Sequence, residues 1–253
     1  METFNPFSLH GKQILVTGAS SGIGKAIAIA CAKMGATVFA TGRNEIRLTE
    51  TVSQMPLGEH KAIKADLTCE EDIDALVAEL PKLDGVVQCA GVGSRIPCKN
   101  ISKMDLQHVF APNVEAPIIL QSNLLANKKI NKAASIIFVA SRAASAPSFG
   151  NAAYSASKGA IISYSKCLAL ELASRLIRVN CICPGMVWTD LIMKDGIGTE
   201  QLEQSQLSYP LKRFGQPEDI ANLAIYLLSD ASSWMTGSSL DISGGGEGIL
   251  TLN

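Results

Sequence analysis

The 253-residue chain has little net charge, few histidines and no long apolar stretch. Lys and Arg total 22 against 23 Asp and Glu, a formal net charge of -1. No basic field is available to hold a polyanion, so nucleic acid is excluded as an expected partner. No apolar run approaches the roughly 18 residues of a membrane span, which excludes a membrane partner. The opening Met1-Glu2-Thr3-Phe4-Asn5-Pro6 places an acid and a proline where an export signal has positive charge followed by an apolar stretch, so a cytoplasmic protein is expected. The 3 histidines and 7 cysteines include no CxxC pair and no zinc-ligand spacing, so no metal is expected. Cys31, Cys69, Cys89, Cys98, Cys167, Cys181 and Cys183 read mostly as small buried hydrophobes. Cys181 and Cys183 alternate along a strand and point the same way as packed thiols.

What is present is a rhythm. With 47% hydrophobic and 18% charged residues the chain can bury a sizeable core. Runs rich in β-branched residues recur at 13–17, 37–41, 61–65, 85–89, 135–140, 178–182 and 239–242, separated by helical stretches. Ile14-Leu15-Val16 and Ile136-Ile137-Phe138-Val139 are nearly continuous apolar runs, as in a parallel sheet covered by helices on both faces. The expected fold is α/β, a single-domain doubly wound Rossmann fold over residues 1–253 with a seven-stranded parallel sheet. No repeat, low-complexity tract or linker divides the chain.

Helix signals agree with this pattern. A helix over 23–34 ends at Gly35, a C′ glycine, and Thr68-Cys69-Glu70-Glu71 has the form of a capping box before a helix over 73–80. The helical segment 102–127 contains Pro112 and Pro117, each removing a backbone hydrogen bond, so a kink is expected around Asn113. The irregular stretch 184–217, with Gly196 and Gly198, is the expected mobile cover over a substrate.

Candidate chemistry begins directly after the first strand. In Thr17-Gly18-Ala19-Ser20-Ser21-Gly22-Ile23-Gly24 the glycines allow a tight turn and close approach, and the following helix offers N–H groups and a positive end to a pyrophosphate. The spacing departs from the G-x-G-x-x-G dinucleotide fingerprint. The second strand ends in Ala40-Thr41-Gly42-Arg43, without the acid that would meet the ribose hydroxyls of NAD. Arg43 is either a solvated strand end or the partner of the 2′-phosphate of NADP, with Ser20 and Lys25 as helpers.

In Tyr154-Ser155-Ala156-Ser157-Lys158 the phenol and the ammonium stand at i and i+4 on one helix face. An ammonium favours the ionised phenol, whose ordinary pKa near 10 suits neutral pH poorly, so Tyr154 becomes able to exchange a proton with a substrate oxygen. Ser141, at the carboxyl end of the fifth strand, can hydrogen-bond that oxygen.

Taken together these motifs resemble the short-chain dehydrogenase/reductase family over nearly the whole chain. The family's TGxxxGxG corresponds to Thr17 through Gly24, its aspartate beside the adenine to Asp66-Leu67, and its catalytic Asn, Ser, Tyr and Lys to Asn113, Ser141, Tyr154 and Lys158. Its PGxVxT corresponds to Pro184-Gly185-Met186-Val187-Trp188-Thr189, its RxGxPxD to Arg213 through Asp219, and its TGxxLxxxGG to Thr236 through Gly245. One departure is Gln88-Cys89-Ala90-Gly91, where the family has Asn-Asn-Ala-Gly. Ala90 and Gly91 keep the close approach to the cofactor, while Gln88 and Cys89 alter the polar support beneath it.

The resemblance implies that Gly18, Ser20, Ser21, Gly22, Ile23, Gly24, Arg43, Asp66, Leu67, Ala90, Gly91, Pro184, Gly185, Val187 and Thr189 line the cofactor together with Tyr154 and Lys158. It places Ile182 and Thr189 near the nicotinamide carboxamide and gives Asn113 the support of a water that links Lys158 to solvent. The expected reaction is NADPH-dependent reduction of a small-molecule ketone, most similar to that of the 3-oxoacyl-acyl-carrier-protein reductases. An NAD-linked alcohol, sugar or steroid dehydrogenase, or a non-catalytic nucleotide-binding scaffold, are the alternatives. Lys128, Lys129 and Lys132 either dock an acidic carrier protein or form a solvated helix end. Met186, Trp188, Ile192 and Met193 suggest an apolar pocket or lid, and the family implies a homodimer or homotetramer.

Overall fold

Strand ends govern this molecule, because the β-branched runs form one sheet in which every strand runs the same way. The structure, a computed structural model, describes residues 5–193 and 198–246. Gly196 and residues 1–4 of the amino-terminal reading lie outside the described residues. The strands are β1 (Gln13–Thr17), β2 (Thr37–Gly42), β3 (Lys61–Lys64), β4 (Leu83–Gln88), β5 (Ile130–Val139), β6 (Arg178–Pro184) and β7 (Ser239–Ile242), in the order β3-β2-β1-β4-β5-β6-β7 with parallel pairing throughout. The helices are α1 (Gly22–Lys33), α2 (Glu45–Ser53), α3 (Glu70–Glu79), α4 (Lys103–Phe110), α5 (Ala116–Ala126), α6 (Ala152–Leu172), α7 (Asp190–Met193), α8 (Thr199–Gln206) and α9 (Pro217–Leu228). This is the doubly wound seven-stranded Rossmann arrangement, and its strand order reverses between β1 and β4, where a crevice opens at the carboxyl ends.

Alternation along each strand builds two cores. Ile14, Val16, Val38, Ile137 and Ile182 face α1 and α9, whereas Leu15, Phe39, Ile136, Phe138, Cys181 and Cys183 face α3, α5 and α6. The two thiols thus point the same way, buried, with the Cys181 Sγ donating to Ser165 Oγ at 3.0 Å. Gly35 terminates α1 with a φ of 93°, a conformation that a residue without Cβ adopts at no steric cost.

Two helix signals resolve differently. Around Pro112 the helix loosens into a π-turn over Ala111–Glu115, with the Ala116 N–H reaching back to the Ala111 carbonyl. Pro117 has no N–H to return to the Asn113 carbonyl, so the expected kink is a wide turn with Asn113 buried inside it. The expected Thr68–Glu71 capping box does not form. The Asp66 carboxylate captures both the Thr68 N–H at 3.0 Å and its hydroxyl at 2.7 Å, and α3 starts after Cys69 instead. An acceptor two residues upstream, already placed by a turn, outcompetes the helix for the hydroxyl.

The start of α9 is tied by charge. Asp219 accepts from both Arg213 Nη atoms at 2.6 and 3.0 Å and from the Gln216 N–H at 2.7 Å. The Arg213 hydrogen bonds, followed by the Gln216 N–H, hold the Asp219 carboxyl below its usual range. A depressed carboxyl contributes stability above its unfolded pKa, about 3.9, and loses that contribution as pH falls through its folded value. Asp219→Asn is therefore expected to lower Tm by a few degrees at neutral pH, with the difference from the parent vanishing in strong acid. A series of thermal melts against pH checks this.

Candidate active site

The crevice at the carboxyl ends is a cleft of about 530 Å³. Its floor begins where β1 meets β4. Thr17 Oγ1 accepts the N–H groups of Cys89 and Ala90, each at 3.0 Å, which fastens the two strand ends together. Gly18 follows with a φ of 66°, and a Cβ there would lie 2.9 Å from the backbone N and Cα of Ala90. At Gly24, on the first turn of α1, a Cβ would run into the Gly18 carbonyl. Both glycines are therefore set by the close passage of backbone on backbone. Ser21, the residue before α1, makes no side-chain cap, and the first turn holds no acid, so the helix presents uncompensated N–H groups to the cleft.

Ser20, Ser21, Gly22 and Ile23 line the same wall. Arg43 opens the far end, opposite Asp66 and Leu67. Burial pushes the Asp66 carboxyl up, but the Thr68 N–H and hydroxyl and the Arg43 charge outweigh it and hold the group below its usual value. Lys25, expected as a helper, does not line the cleft; it stands on the helix beyond the loop. Ile182 is also corrected. Its side chain is wholly buried with Ile137 in the core, and along β6 the cleft wall begins only at Pro184. Gly185, Val187 and Thr189 do line it, and the Thr189 methyl lies 3.2 Å from where a Gly22 Cβ would stand.

The reactive end of the cleft carries Ser141, Tyr154 and Lys158. Ser141 lies just beyond β5, and its Oγ accepts the Ala143 N–H at 3.1 Å, which leaves its single hydrogen able to turn into the cleft. Lys158 is nearly buried; its ammonium donates to the Val139 carbonyl at 2.9 Å and stands 5.7 Å from the centre of the Tyr154 ring. Asn113 is not on the cleft surface. Its amide sits behind Gly91 and clamps Val92, accepting the Val92 N–H at 2.8 Å and donating to the Val92 carbonyl at 2.9 Å.

The Gln88-Cys89 departure has a visible cost. Gln88 is buried, its Nε2 reaches the Pro117 carbonyl at 3.5 Å, and its Oε1 has no partner among the described residues. Burial, against the opposing pull of Lys158, pushes the thiol of Cys89, which lines the cleft, up to about 12.

Sequence reasoning passed over several lining residues. Arg47 on α2 and Asp190 at the start of α7 face each other at 3.6 Å, both half exposed, across the mouth of the cleft. Arg95, Ser148 and Asn151 join the reactive end, and Leu191 lines it together with the expected Met186 and Ile192. Of the other two residues expected at a pocket or lid, Trp188 packs on Phe214 at 5.4 Å and Met193 is exposed, and neither lines the cleft. Arg47 follows Arg43 by four residues, a visible signal; its pairing with Asp190 is non-local and has none. Lys129 is spent on the carbonyls of Ala78 and Leu80 at the end of α3. The lysine cluster sits at the start of β5, about 30 Å of strand from Ser141.

Comparison with known proteins gives a consistent result. The family model described as enoyl-(acyl carrier protein) reductase matches residues 18–247. The chain is 35% identical to an L-xylulose reductase of Caenorhabditis elegans over 245 residues, covering 94% of this chain and 97% of that protein. A crystal structure from Beutenbergia cavernae, assigned as an NAD(P)-dependent gluconate 5-dehydrogenase with NADP bound at low occupancy, superposes with a TM-score of 0.86 at 33% identity over 95% of this chain and 98% of that one. The 3-ketoacyl-(acyl-carrier-protein) reductase of Brucella melitensis, complexed with NADH, gives 0.86 at 30% identity over 96% and 100%.

Gly18→Ala combines positive φ with a backbone collision, a cost of about 1–3 kcal/mol for the conformation alone. It is expected to lower Tm and to abolish measurable binding of NADPH and NADH alike by fluorescence titration. Gly198→Ala, where a Cβ meets nothing within 4 Å, is expected to leave binding unchanged.

Proposed function

The chain belongs to the short-chain dehydrogenase/reductase family of oxidoreductases, and from that premise we propose that it reduces a small-molecule ketone to a secondary alcohol with NADPH. The observation that carries this reading is the meeting of Ser141, Tyr154 and Lys158 in one cleft with the glycine loop and Arg43. The residues fit a dinucleotide: the bare turn at Gly18 and the uncapped start of α1 suit a pyrophosphate. Asp66 and Leu67 suit the adenine end, and Ala90, Gly91 and Thr189 suit the nicotinamide end. Arg43 at the end of β2, with no acid beside it on that strand, suits a 2′-phosphate through paired N–H donors.

When bound, the cofactor supplies the hydride. The chain supplies everything else. Ser141 donates a hydrogen bond to the carbonyl oxygen and holds it toward Tyr154, and Tyr154 gives that oxygen its phenolic proton. Lys158, fixed by the Val139 carbonyl, places a positive charge beside the ring that becomes negative. Asn113 holds the loop after β4 through Val92, and by the family's pattern it also supports a water that links Lys158 to solvent.

Apolar Met186, Leu191 and Ile192 and polar Ser148 and Asn151 line the cleft where the carbonyl would enter. That mixture suits a ketone with both kinds of surface. The position of the lysine cluster gives no support to carrier docking there. No helix among the described residues is long and apolar enough to cross a membrane, and all seven thiols are free, which supports a reducing, cytoplasmic setting. Exposed Met104, Leu106, Ile119 and Leu170 on α4, α5 and α6 support assembly into a homodimer or homotetramer.

Two measurements test this reading. Arg43→Ala is expected to weaken NADPH binding by about tenfold or more while leaving NADH binding unchanged, since it removes charge-assisted bonds to the extra phosphate. Equal effects on both cofactors contradict the NADP assignment and favour an NAD-linked dehydrogenase. Tyr154→Phe is expected to slow NADPH oxidation by about a hundredfold or more across oxoacyl thioesters, sugars, steroids and simple ketones. Unchanged turnover in that variant contradicts the mechanism, and a parent that binds NADPH without oxidising it favours the scaffold.

A further inference from the structure

Ser157 lies between Tyr154 and Lys158 on α6, is fully buried, and takes part in two hydrogen bonds to different elements. Its Oγ donates to the Tyr154 carbonyl at 2.7 Å and accepts from Asn113 Nδ2 at 3.1 Å. A serine that bonds back along its own helix is ordinary. The second bond is not required by the helix, because it comes from the π-turn between α4 and α5.

Asn113 uses its oxygen for the Val92 N–H and one amide hydrogen for the Val92 carbonyl, and its second amide hydrogen goes to Ser157. The hydroxyl gives its one hydrogen and accepts one; the amide gives both of its own. The Val92 N–H and carbonyl fix which way the amide faces, and that turns its second hydrogen toward Ser157. The amide oxygen then stands 2.8 Å from where a Cβ on Gly91 would be, directly behind the cleft floor. A continuous line of hydrogen bonds thus runs from the backbone of Val92 through Asn113 and Ser157 to the turn of α6 that carries Tyr154 and Lys158.

We propose that Ser157 is a positioning residue for proton transfer: its hydroxyl ties the Tyr154 turn of α6, through Asn113, to the loop after β4 that forms the cleft floor. The proposal rests on the reading of Tyr154 as the proton donor and adds a residue outside the group assigned to the chemistry. Removing the hydroxyl strands one amide hydrogen in a buried site and unties α6 from Asn113, which stays clamped on Val92. The floor and the proton donor then lose their common reference while every group that touches substrate or cofactor remains.

The experiment uses the carbonyl that the parent turns over best and compares Ser157→Ala, Ser157→Cys, Asn113→Ala and the Ser157→Ala/Asn113→Ala pair, with thermal melts and NADPH titrations on each. Ser157→Ala is expected to lower kcat by about tenfold, the worth of one buried hydrogen bond, with KM and the NADPH Kd within about twofold. Ser157→Cys, a weak donor and acceptor of similar size, is expected to lose about threefold. The double variant is expected to be no slower than Asn113→Ala alone, since both changes break one line. A folded Ser157→Ala with parental kcat, or losses that multiply in the double variant, overturns the proposal; where Ser157→Ala does not fold, a parental kcat in Ser157→Cys does so. A parent inactive on every carbonyl overturns the proposed function and this inference with it, whereas an active parent with an indifferent Ser157 removes this inference alone.

Discussion

The structure depends on the fastening of β1 to β4 at their carboxyl ends. Thr17 draws the backbone of Cys89 and Ala90 toward the first turn, and Gly18 gives the room for that approach. These strands flank the point where the strand order reverses, so the same contact that closes the sheet also opens the crevice. A parallel sheet lines up its strand ends, and the loops that follow β1, β4, β5 and β6 therefore meet in one cleft. That alignment brings Gly18, Gly91, Ser141 and Gly185 together.

Around that cleft the chain spends its polar groups in a definite pattern. Buried groups are held by backbone: Lys158 by the Val139 carbonyl, Asn113 by both polar groups of Val92, Thr17 by two N–H groups. A backbone partner does not rotate, so these side chains keep their positions without support from solvent. The π-turn belongs to the same logic. Pro112 and Pro117 loosen the helix where Asn113 must turn inward, and a regular helix offers no such widening. Charge stays local. A chain with a net charge of -1 sets Arg43, Arg47, Arg95, Arg142 and Lys158 along one cleft together with Asp66 and Asp190, and Arg43 at its far end suits an anionic dinucleotide.

How much of this was legible in the sequence follows from how local each cause is. The strands were readable because a parallel sheet demands continuous β-branched runs, and the break near Asn113 because a proline's missing N–H acts at its own position. The positive φ of Gly35 is equally local. Thr68 misled because the Asp66 carboxylate stood closer to its hydroxyl than the helix did, and a pattern four residues long does not report that competition. Ile182 was placed near the cleft by its motif neighbourhood, but the period of two along β6 turns its side chain into the core. Trp188 left the expected pocket for Phe214, a choice made by tertiary packing. Ser157 was hidden in plain view inside the Tyr-Lys motif, since its partner Asn113 lies on another helix. The carbonyl itself stays open because Met186, Leu191, Ser148 and Asn151 come from separate loops whose joint shape no single motif encodes.

The central claim is that the cleft lets a bound nicotinamide pass its hydride to a carbonyl held by Ser141 and Tyr154. The most direct measurement supplies NADPH carrying two deuterium atoms at nicotinamide C4 together with a panel of ketones and follows the alcohols by mass spectrometry and proton NMR. The account predicts an alcohol with one deuterium on the former carbonyl carbon and ordinary hydrogen on its oxygen. An alcohol without deuterium on that carbon, or no alcohol from any ketone while NADPH binds, contradicts it.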